Sequence, residues 1–177
     1  MRSLVYSVAA SLDGFIAGPK GEFDWIIQDP TMDFGEIFRG FDTLVMGRSS
    51  YELMLREGHS PKEFGMKVFV ASTTLEPNAH PDVEVIASGL VETVAGLKRK
   101  PGKEIWLFGG GILFRSLLDA GLVDRVDLSI IPVLLGEGIP LVPPGPRCQL
   151  LFKDSRTFPS GIVSLTYEVK RGIGNRE

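Results

Sequence analysis

"EIWLFGGGILFRSLLDAGLVD", residues 104–124, carries an apolar run that stops at three consecutive glycines, Gly109, Gly110 and Gly111, and resumes with leucines at helical spacing. Each glycine loses more backbone freedom on folding than any other residue. Three of them where a strand hands over to a helix imply a backbone that something approaches closely. A helix N-terminus presents unpaired N–H groups and a partial positive charge, and with no side chains in the way a phosphate can sit on it. A tight turn with close helix–strand packing is the other reading of the same residues.

Two familiar phosphate motifs fail here. A P-loop needs Gly-Lys-Ser/Thr, whereas Ile112, Leu113 and Phe114 follow Gly111. The dinucleotide fingerprint needs a third glycine where Phe114 stands, and it belongs to the first strand–helix unit of its fold. A second junction, "DTLVMGRSSYE" at 42–52, again runs strand, glycine, helix, with Gly47 at the turn and Arg48, Ser49 and Ser50 at the helix start. Arg48 is a planar, permanent cation, and the hydroxyls are donors. A third strand, "VFVASTTLE" at 68–76, ends in Ser72, Thr73 and Thr74. In open parallel sheets ligands bind beyond the carboxyl ends of the strands, so three such ends can serve one ligand. Simple capping or turn formation is the competing role for Ser49 and Thr73.

Further out, "RSLVYSVAA" (2–10), "DTLVM", "KVFVA", "VEVI" and "EIWLF" read as strands. "MDFGEIFRGF" (32–41) puts Phe34, Ile37, Phe38 and Phe41 on one helical face, and "GRSSYELMLREG", "GLVETVAGLKRK" and "GGILFRSLLDAG" read as further helices. Gly58 and Gly121 close two of these, and the basic end of "GLVETVAGLKRK" suits the macrodipole. After residue 124 the chain turns to strands alone: "DRVDLSIIPVL", "CQLLFKDSRTF" and "IVSLTYEVK". The tail "RGIGNRE" reads as frayed. The pattern predicts an α/β domain over 1–177, with a mainly parallel central sheet, helices on both faces and antiparallel strands at the C-terminal edge.

Composition narrows the function. The chain has 177 residues, 44% hydrophobic and 23% charged, with a formal net charge of -3. That balance offers no basic field for nucleic acid, and no segment has the length of a membrane span. The N-terminus reads better as a strand than as a signal peptide, and the single Cys148 fits a reducing, cytoplasmic setting. His59 and His80 stand apart without cysteine partners, so no metal site is expected.

In order and context, "SLDGFIAGPKGEFDW", "LVMGRSSYE", "VFVASTT", "WLFGGGILFRSLL" and "IIPVLLGEGIPLV" resemble the dihydrofolate-reductase-like superfamily. The closer likeness is to the reductase domain of the riboflavin-biosynthesis deaminase–reductases and their stand-alone bacterial relatives. The resemblance implies a dihydrofolate-reductase-like fold and NADPH as cofactor. Gly110, Gly111, Ile112 and Leu113 then match the diphosphate turn, and Gly47, Arg48, Ser49 and Ser50 match the grip on pyrophosphate and 2′-phosphate. Ser72 and Thr73 lie at the 2′-phosphate, while Ala9, Ile16 and Ala17 flank the nicotinamide. Independently, Arg48 with strand-end hydroxyls suits a 2′-phosphate better than a 2′-hydroxyl, which calls for a carboxylate.

Hydride transfer needs no protein nucleophile, only positioning and a proton source. Asp33 and Glu36 are the candidate catalytic acids, and Asp33-x-x-Glu36 also has the outline of a capping box. Asp13 either orients the loop over the cofactor or forms an Asx-turn, and Trp25 reads as core. One cysteine cannot supply the zinc signature of a deaminase. The implied reaction is reduction of 5-amino-6-(5-phosphoribosylamino)uracil. Its phosphate finds no second basic cluster in the sequence, only scattered residues such as Lys62, Lys67 and Arg147. A dihydrofolate reductase and a non-catalytic NADPH-binding module are the alternatives. The apolar late strands leave an edge needing cover, hence an expected homodimer.

Overall fold

The computed structural model describes residues 1–170; the expectation of a frayed tail at 171–177 lies outside them. Ten strands and four α-helices follow in the order β1 (Leu4–Ser11), β2 (Phe15–Ala17), α1 (Phe34–Arg39), β3 (Phe41–Gly47), α2 (Arg48–Arg56), β4 (Lys67–Ala71) and β5 (Glu84–Ile86). Then come α3 (Leu90–Arg99), β6 (Glu104–Gly109), α4 (Gly111–Asp119), β7 (Arg125–Ile131), β8 (Ile139–Pro140), β9 (Leu150–Thr157) and β10 (Val163–Val169). Eight of the strands form one sheet in the order β5-β4-β3-β6-β1-β7-β10-β9. From β5 to β7 every pairing is parallel, and β10 and β9 add on antiparallel at one edge. The expected mainly parallel sheet with an antiparallel C-terminal edge is therefore the architecture found. Among the described residues no helix is long and apolar enough to cross a membrane.

Alternation along the strands builds a core on each face. Leu4, Tyr6, Val45, Ile105 and Leu107 pack against Val94 and Leu97 of α3 and Leu113, Phe114 and Leu117 of α4. Val5, Leu44, Met46 and Val70 pack on the opposite face against Tyr51 and Met54 of α2. There Trp106 gathers the rings of Phe38, Phe41, Phe64 and Phe108, with centroids 5.1, 5.8, 5.9 and 5.2 Å away.

Several expectations need correction. Helix α1 stops at Arg39, and Phe41 is a buried strand residue that opens β3, so the four-residue helical face does not exist. Phe34 and Ile37 stay exposed at 43% and 40%, because only Phe38 reaches Trp106. The basic end of α3 is not all macrodipole compensation: Lys98 is buried, and its ammonium bonds the Leu122 carbonyl and the Asp124 carboxylate. Two loop segments also pair with each other, β2 with β8, in a small antiparallel sheet that no alternation announces.

A third cluster, Ile131, Phe158 and Ile162 with Ala9, Trp25, Ile26 and Met32, fills the carboxyl end beside β1 and β7. Asp29 ties it down: its carboxylate accepts from the N–H groups of Thr31 and Ser160, both at 2.8 Å, and from the Thr31 hydroxyl at 2.5 Å. The Thr31 hydroxyl first, then Ser160, hold this carboxyl well below the usual carboxylate range. A depressed value stabilises the fold above the unfolded pKa of about 3.9 and ceases to do so as the pH falls through the folded value. Asp29→Asn is therefore expected to be less stable than wild type near neutrality, with the gap closing toward about pH 2. Urea melts across that range check this.

Candidate cofactor site

The site forms because β3, β4, β6 and β1 all point their carboxyl ends to one edge. Strands β3 and β6 are neighbours, so the two glycine junctions meet. A Cβ added at Gly47 would stand 3.7 Å from the Gly109 carbonyl and 3.8 Å from the Gly110 nitrogen. One at Gly110 would stand 3.9 Å from Ser50 Oγ. Both α2 and α4 begin at these glycines with no side-chain cap, so among the described residues no side chain satisfies the first N–H groups of either helix, and the two starts adjoin.

The three consecutive glycines have three separate causes. Gly109 lies at φ +149, where side chains are strained. Gly111 is buried: a Cβ there would come 2.8 Å from the Pro140 carbonyl and 3.2 Å from that of Leu141. Gly110, at φ -94 and ψ -170, follows a cis peptide bond from Gly109 and has no close neighbour. Gly47, at φ -81 and ψ 160, has an ordinary extended backbone and no close neighbour. Neither dihedral angle nor internal packing demands a glycine at 47. A side chain there would only fill the space above the two helix starts, and this donor-lined space fits a phosphate.

The other expected contacts separate into backbone and side-chain roles. Ser49 is exposed beside Ser50, and Arg48 is half exposed, its guanidinium 3.2 Å from Glu52 in an i,i+4 pair. Ile112 is 79% exposed on the first turn of α4, whereas Leu113 is core and has only its N–H to offer. Ala71 is paired with Gly47, which sets Ser72 and Thr73 next to the α2 start. The Ser72 hydroxyl is already engaged, accepting from the N–H groups of Thr74 and Leu75 at 3.2 and 3.0 Å. Ser72 is thus a turn former, and the exposed Thr73 is the freer donor.

Farther along the same edge, Ala9 lies in β1, with Ile16 and Ala17 in β2. Asp33 is the N-cap of α1 and accepts from Glu36 N–H at 2.9 Å, the capping role its spacing allowed. Glu36 is exposed.

Three features were invisible in the sequence. Phe108 is an extra residue in β6 opposite Val45/Met46, a bulge that re-aims the chain just before the glycines. Residues 140–143 fold back over Gly111. Asp13 forms more than a local turn: its carboxylate accepts from Gly136 N–H at 2.7 Å and from Leu135 N–H at 3.1 Å. The Ser11 hydroxyl and these N–H groups hold its carboxyl below the ordinary value. The only sequence hint was the glycine pair in "LLGEGIP". Two surface hollows elsewhere, one beside β5 and α3 (Glu84, Ile86, Thr93) and one at Ser3, Asp124 and Arg125, have no such paired helix starts.

This arrangement has a family. The RibD C-terminal domain model matches residues 2–164. The chain belongs to the RibD C-terminal domain family. It is 38% identical over 178 residues to the uncharacterized protein YyaP of Bacillus subtilis strain 168, covering 94% of each chain. A crystal structure from Shewanella sp. PV-4, named as a candidate riboflavin biosynthesis protein, superposes with a TM-score of 0.83 at 29% identity, over 97% of this chain and 100% of that one. The NADP(H) complex of dihydrofolate reductase from Enterococcus faecalis superposes with a TM-score of 0.69 at 20% identity, covering 96% and 97%. The RibD-type chain accordingly has the dihydrofolate-reductase-like fold that the motifs implied.

The separate causes of Gly47 and Gly111 give opposite expectations. Gly111→Ala loses about 1–3 kcal/mol of stability through overpacking. Gly47→Ala melts close to wild type but binds NADPH at least about tenfold more weakly, a loss of about 1.4 kcal/mol. Thermal melts and fluorescence titration separate the two.

Proposed function

We propose that this protein is an NADPH-dependent reductase of 5-amino-6-(5-phosphoribosylamino)uracil, the ribosylamino-pyrimidine of riboflavin biosynthesis. The observation that carries the reading is the meeting of two uncapped helix starts over Gly47 and Gly110, with Gly47 a glycine that neither its backbone nor its neighbours require. Membership of the RibD C-terminal domain family supports the reaction class.

In this reading the cofactor lies across the strand ends in the order β4-β3-β6-β1. Thr73 and Arg48 take the adenosine 2′-phosphate, with Arg48 exchanging Glu52 for it in a charge-assisted contact. The N–H groups at the starts of α2 and α4 take the diphosphate, and Ser50 stands beside them. Ala9, Ile16 and Ala17 border the nicotinamide, in a loop layer that Asp13 holds against residues 135–136. When bound, the reduced nicotinamide supplies a hydride to C1′ of the ring-opened ribosylimine, whose nitrogen takes a proton. Glu36 is the proton donor in this reading, on a helix that Asp33 holds in place by its cap.

The chain forms a homodimer through its half-covered apolar sheet face. Val163, Leu165 and Tyr167 of β10 pair with Ile130, Leu128 and Val126 of β7, and all but Val126 are only half-buried. Alongside, on the edge strand β9, Leu150 and Phe152 are exposed at 43% and 59%. Among the described residues no helix lies over this end, and a second copy removes that surface from water.

Two measurements test these statements. NADPH oxidation is screened against the pyrimidine and against dihydrofolate; turnover of the first alone is expected, and turnover of dihydrofolate alone overturns the assignment. In the same assay Arg48→Ala loses about 1.5–3 kcal/mol of NADPH binding, roughly ten- to 150-fold, with little change for NADH. Equal loss for both cofactors shows that Arg48 does not read the 2′-phosphate. Sedimentation velocity is expected to show a dimer that Leu165→Lys converts to a monomer.

A further inference from the structure

The face of β7, β10 and β9 opposite the apolar one is polar, and its register lines up one row of side chains. Ala9 of β1 pairs with Ser129 of β7, Ser129 pairs with Ser164 of β10, and Ser164 pairs with Arg156 of β9. Directly paired residues project to the same face, and the 3.2 Å contact between the Ser129 and Ser164 hydroxyls bears this out. Ser129 and Ser164 are half-buried.

The two ends of the row touch the same small cluster. Ala9 packs against the group that contains Phe158, and the Arg156 guanidinium lies 4.6 Å above the Phe158 ring. Among the described residues Arg156 makes no ion pair. Asp154, two residues back on the same strand, is not in contact with it, because the guanidinium leans toward Phe158. Farther along β7, Arg125 lies 3.0 Å from Asp127 and bidentate on Glu104, so that guanidinium is committed already. Arg156 is thus an uncommitted cation at the end of a hydroxyl-bearing strip that begins at the proposed nicotinamide flank.

We infer that this strip is the subsite for a sugar-phosphate tail: Ser129 and Ser164 bond the sugar hydroxyls and Arg156 takes the phosphate. This rests on the reductase reading, because Ala9 marks where the reacting carbon lies. From β1 to β9 is three strand spacings, about 14 Å, a span that a five-carbon phosphorylated chain and an arginine side chain cover between them. Guanidinium recognises phosphate through paired donors, and the Phe158 face holds it in position. The basic residue missing from every sequence cluster is supplied by a strand that folds beside the site.

Calorimetric titration with ribose 5-phosphate and with ribose tests this without any turnover. Wild type is expected to bind ribose 5-phosphate. Arg156→Ala weakens that binding at least tenfold and leaves ribose unchanged, Arg156→Lys restores most of it, and Arg48→Ala changes it less than twofold. Circular dichroism melts confirm that each variant is folded. No binding by wild type, equal binding by wild type and Arg156→Ala, or loss confined to Arg48→Ala overturns the subsite. A parallel NADPH titration keeps the two readings apart. NADPH binding without an Arg156-dependent sugar phosphate sinks the subsite alone, and the converse sinks the cofactor assignment alone.

Discussion

Two helices that start without caps, side by side, are the constraint around which this molecule is organised. Strands β3 and β6 are hydrogen-bonded neighbours, and each turns into a helix through a glycine. The unpaired N–H groups of α2 and α4 therefore open into one space instead of two. In water they cost little, but they stand ready for an anion, and their partial charges add because the helix starts adjoin.

Much of the remaining structure keeps that edge in place. Tyr6 of β1 stacks on Phe114 of α4, with ring centroids 3.9 Å apart, and its hydroxyl donates to the Leu141 carbonyl at 3.3 Å. That bond holds the segment which folds over Gly111. Asp13 binds the loop after β1 to the loop after β7, and Asp29 binds the Trp25 loop to the turn at Ser160. These carboxylates sit in loops, yet they set the relative positions of three strand ends. Loss of either loosens the rim of the site without touching its glycines.

The C-terminal strands have two unlike faces. One face of β7 and β10 is apolar and half covered; the other carries serines, threonine and ion-paired groups. Because side chains alternate along a strand, "VDLSI" and "VSLTYEV" serve both faces at once. Mixed alternation of this kind weakens the usual inside–outside pattern, since neither face is simply core or simply solvent.

Strand–glycine–helix junctions, the change from alternating elements to strands alone, and the position of Arg48, Ser49 and Ser50 at a helix start were legible in the sequence, because they rest on local backbone chemistry and period. Helix α1 was misread at Phe41 because an apolar residue at helical spacing also suits the first position of a buried strand. The three glycines looked like one motif, and only the folded chain separates them: Gly109 lies at a positive φ, Gly110 follows a cis peptide bond, and Gly111 is packed against Pro140. Likewise, Asp13 meets Gly136 and Arg156 falls into line with Ala9 across residue separations that no local pattern encodes. By itself the sequence determined the elements, their order and the chemistry of their ends. Which ends face one another, and therefore which side chains share a ligand, was decided by the strand order and register of the folded sheet.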